Sequence, residues 1–248
     1  MSGSEPTTEV APHRLDRLTP VLLVRAAHPR QALLTAAGLA LAAVLSGRPA
    51  REVGLVAVTV LVGQTLLGWD NDLVDESADR TDERIGKPLV GGGLERGTLA
   101  FWLACAVLLV IPLSLSGGID AGLAYLLSLA VGVLGNRMLR TGRLSWVPWA
   151  LAFALYPAYL SYGGWGGGAD GRPPTVAMTV AAGFLGIGVH VLVALRGLVE
   201  DNRVGRRHVP LRLALRVGAP RLLVLACLYT ALVIGAIAIV GGTAGLSQ

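Results

Sequence analysis

The stretch that decides the reading runs from Gly68 to Pro88: Gly-Trp-Asp-Asn-Asp-Leu-Val-Asp-Glu-Ser-Ala-Asp-Arg-Thr-Asp-Glu-Arg-Ile-Gly-Lys-Pro. Seven of the sixteen acidic residues lie between Asp70 and Glu83, directly after an apolar run at 53–70. On a helix continuing out of that run at about 100° per residue, Asn71, Asp72, Asp75 and Asp79 fall within an arc of about 100°, so four oxygen donors share one face. Carboxylates packed this closely repel one another unless a cation neutralises them. Hard oxygen donors suit Mg²⁺, which keeps several waters and takes phosphate oxygens as further ligands. Arg84 and Lys87 follow on the same segment, and with a carboxylate-bound Mg²⁺ they would hold a diphosphate from both sides. The bland alternative is a solvated acidic helix end. Position weighs against it, because ionisable groups at a membrane boundary are functional by default.

That boundary is set by the rest of the chain. Its 248 residues are 53% hydrophobic and 15% charged, with a mean hydropathy of +0.62. The apolar residues come in runs long enough, or nearly so, to cross about 30 Å of hydrocarbon, which takes about 20 helical residues. These figures exclude a soluble globular domain and predict an all-α, multi-span transmembrane bundle of about seven spans, near 20–46, 53–70, 98–116, 119–136, 145–163, 175–195 and 219–241. Residues 1–19 are polar, lack the apolar core of a signal peptide and read as a disordered tail, with the bundle at 20–241 and a short tail at 242–248. Pro112 and Pro157 lie inside spans and predict kinks. Cys105 and Cys227 sit in apolar runs and read as small core residues rather than a disulfide or metal site.

Charge sets the orientation. With the N-terminus inside, Arg14, Arg17, Arg25, Arg30, Arg80, Arg84, Lys87, Arg96, Arg137, Arg140, Arg143, Arg196, Arg203, Arg206, Arg207, Arg212, Arg216 and Arg221 are all cytoplasmic, 18 of the 21 basic residues. Only Arg48, Arg51 and Arg172 fall outside, which predicts a multi-pass cell-membrane protein with its C-terminus outside. The net charge of +5 then implies anionic lipid or an anionic substrate as partner, with no nucleic acid.

Asn71-Asp72-x-x-Asp75-x-x-x-Asp79, followed by Lys87-Pro88, resembles the first acidic motif and basic-Pro pair of the UbiA-type intramembrane prenyltransferases. Arg25-Ala-Ala-His28-Pro29 is similar to the Arg-x-x-x-Pro that opens that family's first helix, and Arg140 stands where the family often has Lys after its fourth span. The resemblance covers roughly residues 20–241. It implies an all-α bundle whose acidic motifs bind Mg²⁺ and an isoprenyl diphosphate, ionise its allylic C–O bond and pass the carbocation to an acceptor. Asp72, Asp75 and Asp79 would be the catalytic carboxylates. Asn71, Arg84, Lys87 and Arg140 would bind the diphosphate, and Asn71, Asp72, Asp75, Asp79 and Asp201 the metal.

The chain also departs from the family. In the second acidic motif, Asp-x-x-x-Asp with Gly four residues on, Asp201 and Gly205 match but Gly197 replaces the first Asp, and Val193 stands where relatives often carry Asn. Glu200 adjoins Asp201 but is turned about 100° from it, so a substitute role needs a local twist or bulge. A Tyr common at the fourth span's end is absent, and relatives usually have nine spans where seven are read here. His190 shares a helical face with Gly197 and either touches an acceptor or carbocation, or is hydrogen-bonded within the bundle. Trp69, Trp102, Trp146, Trp149 and Tyr156 read first as interfacial anchors, with Trp69 the best candidate to shield a cation because it borders the acidic motif. Three functions fit: Mg²⁺-dependent transfer of an isoprenyl group to an aromatic or lipid acceptor, a membrane terpene cyclase without acceptor, and a non-catalytic binder of a prenyl diphosphate or polyprenyl phosphate. Homo-oligomerisation is compatible with each.

Overall fold

A computed structural model of the chain describes residues 18–81, 86–91, 93–164 and 172–244. Within these residues all regular structure is helical. The expected tail thus lies outside the described residues up to position 17, and Arg84 lies outside them too.

The first expected span is two helices, α1 (Thr19–Ala26) and α2 (Pro29–Leu45). Pro29 clashes with an α conformation at the residue before it, and His28 takes a left-handed φ of 52° instead. Helix α3 (Ala50–Thr81) packs directly against the break. A Cβ on Gly68 would stand 2.7 Å from the Ala27 carbonyl, so only glycine allows this approach. Trp69 Nε1 fixes it by donating to the Leu23 carbonyl at 2.9 Å. At 32 residues α3 outruns the apolar segment read from sequence and carries the acidic face on unbroken helix.

Helix α4 (Arg96–Leu115) runs on through Pro112. Helix α5 (Ile119–Leu134) ends in a π turn over Gly135–Leu139. The fifth expected span is divided at Leu155, two residues before Pro157, into α6 (Val147–Ala154) and α7 (Tyr156–Tyr162). Helix α8 (Val176–Ala194) tightens into a 3₁₀ turn at Leu195–Gly197. The segment after it, left between two expected spans, forms two short helices, α9 (Leu198–Arg203) and α10 (Val209–Val217). Helix α11 (Ala219–Ala244) then extends past the expected start of the C-terminal tail.

Five helices among the described residues are long and apolar enough to cross a membrane, and the broken pairs α1–α2 and α6–α7 supply the other two expected segments. The main packing contacts are α2 on α3, α3 on α4, α4 on α5, α5 on α6 and α7, α6 on α8, and α8 on α11. The outer surface is apolar, with Leu34, Leu108, Ile119 and Leu232 exposed, whereas Gln64, Asp70, Ser114, Ser128 and His190 are buried. Such inversion suits a lipid solvent. Cys227 is exposed on that outer surface rather than in the core, and both cysteines are free. At the end away from the acidic face, Arg48 bonds Glu52 at 2.9 Å and also the Leu160 carbonyl, and Gly164 N–H donates to Gly117 at 2.9 Å. These bonds tie the loops there together.

Candidate functional site

Asp72, Asp75 and Asp79 point from one face of α3 and are 3%, 4% and 0% exposed. Burying three carboxylates demands positive charge. Lys87 supplies it from the following loop, with Nζ 2.9 Å from Asp72 Oδ1, 2.8 Å from Asp79 Oδ2 and 3.9 Å from Asp75 Oδ2. His28 Nε2, carried by the left-handed break, stands 3.2 Å from Asp72 Oδ1. Asn71 donates to Asp75 Oδ2 at 3.5 Å.

The opposite wall comes from two other elements. The π turn widens the end of α5 and turns its polar residues towards α3: Asn136 donates to Asp70 at 3.2 Å, Arg137 to Asp70 at 2.5 Å, and Arg140 contacts Asp75. Such turns often mark functional sites. Asp70 is therefore a buried tie between α3 and the π turn, on a different face from the other acids. Beyond the 3₁₀ turn, Asp201 Oδ2 meets His208 Nε2 at 3.0 Å and Asp201 Oδ1 lies 3.5 Å from Arg206. Arg206 also stands 3.7 Å from Asp75 and 3.9 Å from Asp79, so it spans both acidic groups. Burial and the adjacent Arg206 charge hold the Arg140 guanidinium below its usual range.

Between these walls lies a cavity of about 260 Å³. Asn71, Asp75, Arg140, Asp201 and Arg206 line its charged end, and Leu67, Ala152, Phe153, Tyr156 and Val193 its apolar part. Its inner end holds Gln64, which donates to the Tyr156 hydroxyl at 3.3 Å. Trp149 and His190 also face it, their rings stacked at 5.5 Å. His190 Nε2 is 3.2 Å from Ser145 Oγ, which accepts the Val209 N–H at 3.0 Å. His190 is thus hydrogen-bonded within the bundle, as one of the two expectations had it, and it also lines the cavity.

Two expectations are corrected, and two residues are added to the site. Glu200 does have a local twist before it, the 3₁₀ turn, yet it bonds Arg203 at 2.6 Å and does not line the cavity, whereas Asp201 does. Trp69 is buried in the helix packing against α1, and the aromatic rings at the cavity are Trp149, Phe153 and Tyr156. Arg206 and His208 join the site although sequence reading gave Arg206 only a place in the charge count. Their signal was weak: a loop with a positive-φ Gly205 (73°) reverses the chain, so no helical period marks them.

The α3 face has the donor chemistry of a hard divalent cation, and the Lys87 ammonium already gathers its three carboxylates around one cationic point. Nitrogen–oxygen separations of 2.8–3.9 Å exceed the ~2.1 Å of Mg²⁺–oxygen bonds. Accordingly, no group of three His, Cys, Asp or Glu side chains among the described residues is at ligand spacing as it stands. Contraction of about 0.7 to 1.8 Å per donor, with Lys87 turned aside, is the required change. The Asp201 side does not fit in the same way. A Cβ on Gly197 would lie 3.1 Å from Asp201 Oδ2, so the position that lacks a carboxylate does face Asp201.

No family model matches the chain, and no curated protein matches it. Solved structures do. A UbiA homologue from Archaeoglobus fulgidus bound to GPP and Mg²⁺ aligns with a TM-score of 0.67 at 18% identity, over 88% of this chain and 77% of that one. The same homologue bound to DMAPP and Mg²⁺ gives 0.66 at 18% identity, over 88% and 77%. A digeranylgeranylglyceryl phosphate synthase gives 0.57 at 17% identity, over 87% and 78%. The chain has the UbiA fold, a transmembrane helical bundle.

Proposed function

We propose that this chain is an integral membrane prenyltransferase that moves an isoprenyl group from an allylic diphosphate to an aromatic or other lipophilic acceptor, with Mg²⁺ as cofactor. The observation that carries the reading is the gathering of Asp72, Asp75 and Asp79 around the Lys87 ammonium beside a cavity charged at one end and apolar at the other. An isoprenyl diphosphate has that same division of charge. Neighbours of the same fold that bind GPP or DMAPP with Mg²⁺ support it.

Asn71, Asp72, Asp75 and Asp79 would hold the Mg²⁺. When bound, it neutralises charge developing on the departing diphosphate. Lys87, turned aside from the carboxylates, and Arg140 would add positive charge beside the ion, and Arg84 lies three residues before Lys87 in the sequence. Leu67, Ala152 and Phe153 exclude water around the tail, and the Trp149 and Tyr156 ring faces stabilise an allylic cation. Charge asymmetry supports a cell-membrane protein with its N-terminus and this site inside and its C-terminus outside.

Gly197 favours a second reading, a binder that retains the diphosphate without cleaving it. The test is pyrophosphate release from the protein in nanodiscs, given a panel of allylic diphosphates and aromatic acceptors with and without Mg²⁺, with organic products identified. Mg²⁺-dependent release with a prenylated acceptor supports the transferase. Release with a cyclised product alone makes it a terpene cyclase, and binding without release across all acceptors makes it a binder.

A further inference from the structure

We infer that the protein binds its diphosphate with a single divalent cation, on the α3 face, and that the Arg206 guanidinium takes the diphosphate oxygens on the Asp201 side, where a second ion would otherwise sit. This rests on the proposed function and specifies the ligand set of that site.

Asp201 is poorly placed to hold an ion. The position directly beside it that would carry a partner carboxylate is Gly197, and Glu200 bonds Arg203 and does not line the cavity. His208 Nδ1 accepts the Leu211 N–H at 3.2 Å, which leaves the proton on Nε2 to donate to Asp201 Oδ2 at 3.0 Å. The other oxygen faces Arg206 at 3.5 Å. An ion bound there would have one carboxylate, already hydrogen-bonded, and a guanidinium charge opposing it.

Arg206 meets the requirements of an anion ligand. Its side chain is only 15% exposed, lines the cavity and lies between the carboxylates of α3 and Asp201 at 3.5–3.9 Å. Nη2 is buried and makes no hydrogen bond. A guanidinium held this way, with donors left over, suits bidentate recognition of phosphate oxygens. Arg140 presents a second guanidinium to the same end of the cavity. With a divalent cation held by the α3 carboxylates, Arg140 and Arg206 would be free to turn to an anion.

The full chain in nanodiscs is titrated with Mn²⁺ in the presence of inorganic pyrophosphate, and bound Mn²⁺ is counted and examined by electron paramagnetic resonance. One Mn²⁺ per chain without spin coupling is expected. Arg206→Gln should weaken pyrophosphate binding roughly ten- to a hundredfold while Mn²⁺ still binds at one per chain, and Arg206→Lys should recover part of the loss. Gly197→Asp should add a second, spin-coupled Mn²⁺. Two coupled ions in the unmodified protein, or unchanged pyrophosphate affinity in a folded Arg206→Gln, overturn this inference and leave the proposed function standing. Absence of any bound Mn²⁺ overturns both.

Discussion

Two acidic regions face one another across the cavity and are built in opposite ways. On α3, three carboxylates come from one continuous helix, at positions that its period brings to one face, and a single lysine holds them together. On the other side, one carboxylate follows a 3₁₀ turn, its neighbouring position is glycine, and an imidazole and a guanidinium from the next loop hold it. The first arrangement concentrates negative charge and needs a cation. The second nearly balances its own charge and offers an arginine outwards. Removing positive and negative groups on the two sides should therefore have unequal effects.

Asp75→Asn should have the largest, abolishing Mg²⁺-dependent binding of an allylic diphosphate, a loss of at least a hundredfold on the scale of removed electrostatic contacts. Asp201→Asn should cost no more than about tenfold, since one hydrogen-bonded carboxylate is lost rather than part of a shared face. Equal losses would erase the distinction. Lys87→Met removes the cation nearest Asp72 and Asp79, leaving Arg140 and Arg206 against the buried carboxylates, and should destabilise the metal-free protein by about 3 kcal/mol. Mg²⁺ should restore most of that in thermal unfolding, through binding linkage. A deficit unmoved by Mg²⁺ would mean that the α3 face is built for lysine alone. Gly68→Ala should cost about 1–3 kcal/mol by forcing α3 away from the Ala27 backbone, and should weaken diphosphate binding by displacing His28 from Asp72. His208→Phe should have the smallest effect, a few-fold change in binding, because it frees Asp201 without touching α3.

The α3 side was legible in the sequence because its geometry is local. Once the apolar run continues as helix, the spacing of Asn71, Asp72, Asp75 and Asp79 fixes their common face, and Lys87 follows within one turn-rich loop. Hydropathy likewise gave the positions of the apolar segments. It did not give the break at His28, which depends on Pro29 and on the close approach of Gly68, two features distant in sequence from each other. The Asp201 side was only partly legible. A motif comparison marks Asp201, Gly205 and the missing acid at Gly197, but the return of Arg206 and His208 onto Asp201 is set by a chain reversal and by the His208 cap of α10. Glu200 failed as a substitute because the twist that sequence reasoning required occurred one residue set earlier, and Arg203 three positions on captured the side chain. The aromatic lining was misranked for a similar reason: Trp69 is adjacent to the acids in sequence but faces α1, whereas Trp149, read first as an interfacial anchor, reaches the cavity from α6.

The most direct test of the central claim, that the α3 face binds a diphosphate through a divalent cation, is calorimetric titration of a non-hydrolysable allylic thiodiphosphate into the protein in nanodiscs, with Mg²⁺ and with EDTA, for the unmodified chain, Asp75→Asn and Asp201→Asn. The account predicts Mg²⁺-dependent binding that Asp75→Asn abolishes and Asp201→Asn only weakens. Binding that is indifferent to Mg²⁺, or that survives Asp75→Asn, would contradict it.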